Sequence, residues 1–402
     1  MKNKLEIVDF IKNNPDWETK LQEKPYCITI SRDKMFGLNL IMFKYNQIDS
    51  DFNVELVCEA RGLILNEDTL EPVTVPFFKF GNVGEGWVKD IDWKTASVQE
   101  KIDGSLTKVV RIGNNLLIST NGTIDAYKAP LQEQIGCYYK NFGVLFESAI
   151  KNQFYDKIDW DSFPVPLMDK EIRTACMDLF KDNILEGKTY MFELVSPFNR
   201  VVVPYKDTKA YFIGIRDNNT LKEEFFANHE LSKIFDCPKI FNLKTLDECI
   251  AATKELPWNE EGYVAMDSEF NRVKIKSPSY VSVHHLKGEG GTISYRRAIE
   301  IVRSNEIEEI CSYFEEFRKS LNDCKDRFWK LVKETEDEWD DFTKISESFP
   351  SRKEKAMYIQ KNFKIPGIAF GMMDGKISSV KDFFMNVPTD KILKYLGFKT
   401  NN

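Results

Sequence analysis

Between residues 26 and 283 the chain is a succession of short strand-like runs separated by Gly, Pro and Asn, and this texture constrains the fold more than any other feature. The runs fall at 38–45, 60–65, 97–100, 106–112, 116–120, 190–195, 201–203, 211–215, 262–266 and 272–277, with helical spacing in the stretch 131–188. Strands interleaved with helices in this way predict an α+β domain built on antiparallel sheets. After the break Gly288-Glu289-Gly290-Gly291, apolar residues recur at three- and four-residue steps, Ile299, Val302 and Ile310 and then Phe328, Leu331 and Val332. That period predicts a smaller, all-α C-terminal domain. The chain has 402 residues, more than a single domain usually holds. The expected domains are 1–287, with a helical insertion at 131–188 near the substrate face, and 288–402.

Basic residues number 56 and acidic ones 63, a formal net charge of −7. Such a balance excludes wholesale binding of polyanions, because non-specific affinity for nucleic acid is mainly phosphate neutralisation. Any contact with nucleic acid has to come from local basic surface and from recognition of ends. Eight cysteines, with no C-x-x-C pair among them, and three histidines indicate neither a zinc site nor a disulfide framework. No signal-like segment opens the sequence, and no run approaches the ~20 apolar residues that cross a bilayer. A cytoplasmic protein without a membrane partner is expected.

The chemistry concentrates at a few strand ends. Lys101 stands two residues before the turn Asp103-Gly104, at the end of an apolar–polar run, where glycine lets backbone approach a phosphate or a purine closely. The same string also occurs as an exposed hairpin with a solvated lysine. Glu193 falls between apolar neighbours on a strand, and a carboxylate there requires donors, whether a neighbouring cation, a metal or a pair of ribose hydroxyls. In Arg272-Val273-Lys274-Ile275-Lys276 the alternation puts Lys274 and Lys276 on one face. Two like charges so placed suit an anion between them, and a solvated edge is the plain alternative. Glu261 precedes the neighbouring run, Arg61 lies beside Gly62 at a strand start, and Lys79 sits among aromatics, as a phosphate contact or a snorkelling side chain.

Read in order, ARG, KF, KIDGS, STNG, FELVSPFNRVVVPY, EGYV and KIKS resemble the ordered motifs of covalent nucleotidyltransferases. The FE-x-VSP-x-NR form in particular resembles the phage-type ATP-dependent RNA ligases that repair broken tRNA. The resemblance implies that Lys101 attacks ATP and carries AMP, that Lys274 and Lys276 grip the α-phosphate, and that Glu193 holds the ribose. It further implies nucleotide-binding places for Arg61, Lys79, Asp103, Gly104 and Asn121, and a place for Glu261 near a Mg²⁺ or Mn²⁺ ion. Its acidic metal-binding pair in the helical domain finds only Glu308 and Glu309 here. An amine attacks only once it has lost its proton, and burial and neighbouring cations such as Lys274 and Lys276 favour that loss. Asn121 stands where the family carries a lysine. The implied partners are RNA with 5′-phosphate and 3′-hydroxyl ends, cleaved tRNA among them, and a separate end-healing kinase/phosphatase; the implied setting is a phage-infected or bacterial cell. A DNA ligase, a capping-type enzyme and a non-catalytic RNA-end binding protein compete with this reading.

Overall fold

The computed structural model describes residues 4–131, 139–160, 168–285, 293–313 and 315–398. Cys137, Phe314 and the glycine-rich stretch 288–291 lie outside the described residues. By its internal contacts the chain forms two compact units, Met1–His284 and His285–Asn402.

The first unit holds strands β1 (Ile28–Met35), β2 (Leu38–Tyr45), β3 (Arg61–Asn66), β4 (Pro72–Thr74), β5 (Ser97–Glu100), β6 (Ser105–Ile112), β7 (Asn115–Thr120), β8 (Lys188–Val195), β9 (Lys209–Asp217), β10 (Glu223–Glu224), β11 (Ile240–Phe241), β12 (Gly262–Met266) and β13 (Arg272–Lys276). They make three sheets, ordered β1-β2-β3-β4, β10-β9-β8-β6-β7 and β11-β5-β12-β13. Every pairing within them is antiparallel, as the sequence texture predicts. β1 escapes the sequence reading because Arg32, Asp33 and Lys34 break its apolar pattern; it is an outer strand, fixed to β2 by a tight turn in which Phe36 and Gly37 both have positive φ, 52° and 81°.

The five-stranded sheet has two unlike faces, set by the two-residue period of its strands. Val109, Tyr190, Phe192, Leu194, Ala210 and Phe212 face an aromatic layer supplied by the helices Phe142–Phe154 and Asp169–Lys181. Phe146 and Phe180 meet Phe192 with ring centroids 5.6 and 5.8 Å apart. Leu106 and Met191, between those positions, join Phe77 on the other side. The described helices of the expected insertion at 131–188 therefore pack into the core, on the sheet face opposite to Glu193.

The run 201–203 is not a strand. Its amides turn instead to a carboxylate, with Val202 N and Val203 N donating to Asp103 Oδ2 at 2.9 and 2.7 Å. A buried charge cluster joins the second sheet to the third: Glu223 accepts from Arg216 and, at 2.5 Å, from Arg272. Each guanidinium also covers a ring, Arg216 over Phe78 and Arg272 over Phe77, both at 4.1 Å.

In the second unit the helices Tyr295–Ser304, Ile307–Tyr313, Arg318–Ile345, Arg352–Asn362, Pro366–Met373, Val380–Asn386 and Thr389–Tyr395 follow one another. The long helix buries Leu321, Cys324, Phe328, Leu331, Val332, Thr335 and Phe342, the three-and-four spacing read from the sequence. Among the described residues, no helix is long and apolar enough to cross a membrane.

Removing one partner of a buried ion cluster leaves the remaining charges uncompensated. Glu223→Gln is expected to lower the unfolding free energy of the first unit by about 3–5 kcal/mol, read as a fall in the urea midpoint.

Candidate active site

Lys101 is the first residue after β5, and its backbone N–H donates to Gly262 O at 2.8 Å, which lays it against the start of β12. Gly262 has φ +133°, and a Cβ there would lie 2.2 Å from Ile275 O, so only glycine lets β12 and β13 pair at this point. The preceding residue, Glu261, is 5% exposed and holds two lysines: its Oε2 lies 2.7 Å from Lys101 Nζ and its Oε1 3.6 Å from Lys276 Nζ. Like-charged neighbours are what the sequence led us to expect beside Lys101; the structure puts a carboxylate directly against its amine.

That amine opens on a cavity of about 260 Å³, whose walls include Arg61, Phe80, Gly104, Asn121, Glu193 and Lys274. Burial, helped by Lys79, Lys101, Lys276 and Arg61, holds Lys274 well below the usual lysine range. The Glu193 side chain makes no hydrogen bond among the described residues, and burial pushes its carboxyl up to about 7, against the opposing pull of Lys101. Phe80 lies between two cations, 5.2 Å from Arg61 Cζ and 5.1 Å from Lys274 Nζ. A Cβ at Gly104 would stand 2.6 Å from Leu194 O, so the turn after Lys101 rests directly on β8. Arg61 Nη1 and Asn121 Oδ1 are buried at this wall without hydrogen-bond partners among the described residues.

Three placements differ from the sequence reading. Asp103 is absent from the walls of the lysine cavity: besides the amides of Val202 and Val203 it accepts from Tyr280 Oη at 2.9 Å, so its carboxylate is a buried strut for the turn. Lys79 is absent from the walls of the lysine cavity; it donates to Gln47 Oε1 at 3.0 Å and lies 4.8 Å from the rings of both Tyr45 and Phe52. Glu308 is engaged by Arg318 at 2.9 Å while Glu309 is 4% exposed, so this pair does not present two open carboxylates. Among the described residues, no three His, Cys, Asp or Glu side chains converge as metal ligands.

Lys108 is the residue that sequence reasoning missed. It is fully buried on β6, on the same sheet face as Leu106, and the only hydrogen bond of its amine among the described residues goes to Gly62 O at 2.7 Å. Burial and Arg61 hold it well below the usual lysine range. A lysine flanked by Thr107 and apolar residues is the one available signal, and it does not distinguish a buried amine from a snorkelling one.

No family profile matches the sequence. The chain is similar to RNA ligases by sequence. It is 23% identical over 289 residues to a protein of Autographa californica nuclear polyhedrosis virus named "Putative bifunctional polynucleotide kinase/RNA ligase", covering 69% of this chain and 38% of that protein. It is 26% identical over 257 residues to a "Putative RNA ligase" of Thermovibrio ammonificans, covering 61% of this chain and 57% of that one. The chain thus spans less than two thirds of the length of either relative. Among solved structures, an archaeal ATP-dependent RNA ligase matches with a TM-score of 0.42 at 12% identity, over 81% of this chain and 82% of the other. A protein of Aquifex aeolicus described as "Putative ATP-dependent DNA ligase" matches with a TM-score of 0.40 at 12% identity, over 81% of each chain.

Because the Glu193 carboxyl is raised from near 4.5 to about 7, the folded chain binds more protons at this group than the unfolded chain between those values. The stability it contributes is present on the acid side and is lost as pH rises towards 7. Glu193→Gln should flatten this: from about pH 5 to about pH 7 the wild-type melting temperature falls relative to the variant's.

Proposed function

We propose that this chain is an ATP-dependent RNA ligase that joins a 5′-phosphate end to a 3′-hydroxyl end. One observation carries the reading: a lysine amine at the strand end of the K-x-D-G motif opens on a small cavity ringed by Arg61 and Lys274, with Glu193 across from it. The RNA ligase names of the two sequence relatives support it.

The cavity fits a nucleotide on its own chemistry. Unpartnered buried groups of Arg61 and Asn121 call for a polar ligand, and the cations call for an anion. In the first step the Lys101 amine passes its proton to the Glu261 carboxylate against it, which also dissolves the ion pair, and the free nitrogen attacks the α-phosphorus of ATP. The P–N bond forms, the bond from the α-phosphorus to the bridging oxygen breaks, and pyrophosphate leaves. Lys276, on the other oxygen of Glu261, competes for that carboxylate and so weakens its hold on Lys101. Lys274 on the cavity wall, with Lys276 beside it on Glu261, would offset the charge that builds up on the phosphoryl group, and the β12–β13 pairing sets both in place beforehand. Glu193, with a carboxyl near its midpoint at neutral pH, can accept from a ribose hydroxyl or donate to one. A divalent cation such as Mg²⁺ or Mn²⁺ would neutralise phosphate charge, with Glu261 and Glu193 as the carboxylates available to it.

In the second step the RNA 5′-phosphate oxygen attacks the same phosphorus and the lysine amine leaves. In the third the 3′-hydroxyl oxygen attacks the RNA phosphate and AMP leaves. We take cleaved tRNA as the substrate from the FE-x-VSP-x-NR motif, the helical unit as the part that selects the RNA, and a separate kinase/phosphatase as the source of healed ends.

The test uses purified protein with α-labelled ATP and Mg²⁺. One AMP per chain is expected at Lys101, none in Lys101→Ala, and the label should pass to a 5′-phosphorylated RNA. Sealing of a cleaved anticodon stem-loop should outpace that of an unstructured strand of equal length. Absence of label, or sealing of nicked DNA without sealing of RNA, would overturn the assignment.

A further inference from the structure

Arg61 and Asn121 form a wall with two sides. Behind them lies a second cavity of about 380 Å³, lined also by Lys44, Tyr45, Asn46 and Gln47. We propose that this second cavity is a phosphate subsite that takes the 5′-phosphate end of the RNA strand; the assignment rests on the ligase reading above and names where its second substrate sits.

The charge pattern is the first argument. The lining includes cations and no carboxylate. Lys44 and Arg61 are direct cross-strand partners on β2 and β3, at the point where the ladder register shifts after Phe43. Like charges directly opposite one another repel, and a bulge re-aims side chains, so this pair is an arrangement that an anion between them would stabilise. Neither residue forms an ion pair among the described residues. Lys108 adds an amine from behind, buried with no carboxylate partner among the described residues and fixing the backbone of Gly62 next to Arg61. Gly62 has φ +79°, and a Cβ there would lie 2.6 Å from Lys108 Nζ and 2.9 Å from Asn121 O, so amine, turn and Asn121 are packed as one piece. Lys79 reaches the same lining through Gln47.

Unsatisfied donors are the second argument. Among the described residues Arg61 Nη1 is buried without a hydrogen-bond partner, and so is Asn121 Oδ1; turning the Asn121 amide over would present its NH₂ group at the same place. Such groups are costly to bury unless a ligand satisfies them.

The occupant follows from the order of the steps. When AMP is on Lys101, the phosphate of the RNA strand must reach that phosphorus from a site sharing a wall with the lysine cavity. Arg61 and Asn121 are that wall. The pyrophosphate leaving ATP has the same chemistry, but the volume suits a terminal nucleotide, with Tyr45 as a surface for its base or sugar.

Lys44 is an exposed strand residue, so Lys44→Ala and Lys44→Arg should both fold. Three measurements on wild type and variants decide the matter: binding of a labelled RNA with a 5′-phosphate against its 5′-hydroxyl twin, the KM of the phosphorylated strand in sealing, and the rate of AMP labelling with and without added pyrophosphate. Lys44→Ala is expected to raise the KM about tenfold, the loss of one hydrogen bond to a charged group, well in excess of any change in labelling. It should also shrink the preference for the phosphorylated twin, and Lys44→Arg should restore both. Equal preference in wild type and Lys44→Ala overturns the subsite, as does a loss confined to AMP labelling or to pyrophosphate inhibition, which would give the cavity to ATP. If wild type takes no AMP, the ligase reading fails, and the binding of the two twins still decides the subsite.

Discussion

A sheet can line a polar cavity only if its other face is apolar enough to hold it in place, and this molecule depends on that division. Phe146, Phe154, Phe180, Phe192, Phe212 and Phe235 form one aromatic layer beneath the five-stranded sheet, with Tyr190 and Leu194 beside them. Large rings packed edge to face contribute stabilisation beyond their area, and they leave the alternate positions free for other uses. Leu106 and Glu193 occupy those positions facing the lysine cavity, and Lys108 lies on the same side. Without the layer, a fully buried amine and a carboxyl near its midpoint would have no rigid support.

Electrostatically the site is a group of cations held by few acids. Glu261 is shared between Lys101 and Lys276, and Lys274 has burial and four neighbouring cations set against its charge. A cluster arranged this way is most comfortable with an anion inside it. The pairing of β12 with β13 spaces Lys274 and Lys276 at successive positions of one face, which is why the gathering of charge does not splay the sheet.

The fold class and the heart of the site were legible because both are written in short strings. Alternation announced most of the strands; Lys101, Glu193, Glu261 and Lys274 were each visible beside a glycine, in an apolar run or at a period of two. What remained hidden depends on partners distant in sequence. Asp103 looked like part of a ligand-binding turn, yet its acceptors are occupied by Val202, Val203 and Tyr280. The valines in turn looked like a strand because nothing local reveals that their amides are drawn to a carboxylate. Lys79 sits in the right string but points to Gln47 and two aromatic rings. Lys108 carries only the weak mark of a lysine beside Thr107 among apolar residues, since the backbone oxygen it bonds belongs to Gly62 on another strand.

The bond from Tyr280 to Asp103 also bears on how the molecule comes into being. The turn that carries Lys101 is anchored by a residue near the close of the first unit, and its amine is held by Glu261, which is likewise late in the chain. A polypeptide emerging from the ribosome therefore has the strand that leads into Lys101 long before it has the residues that hold its turn and its amine. During synthesis the Lys101 turn and amine lack both of these anchors until almost the whole unit has emerged.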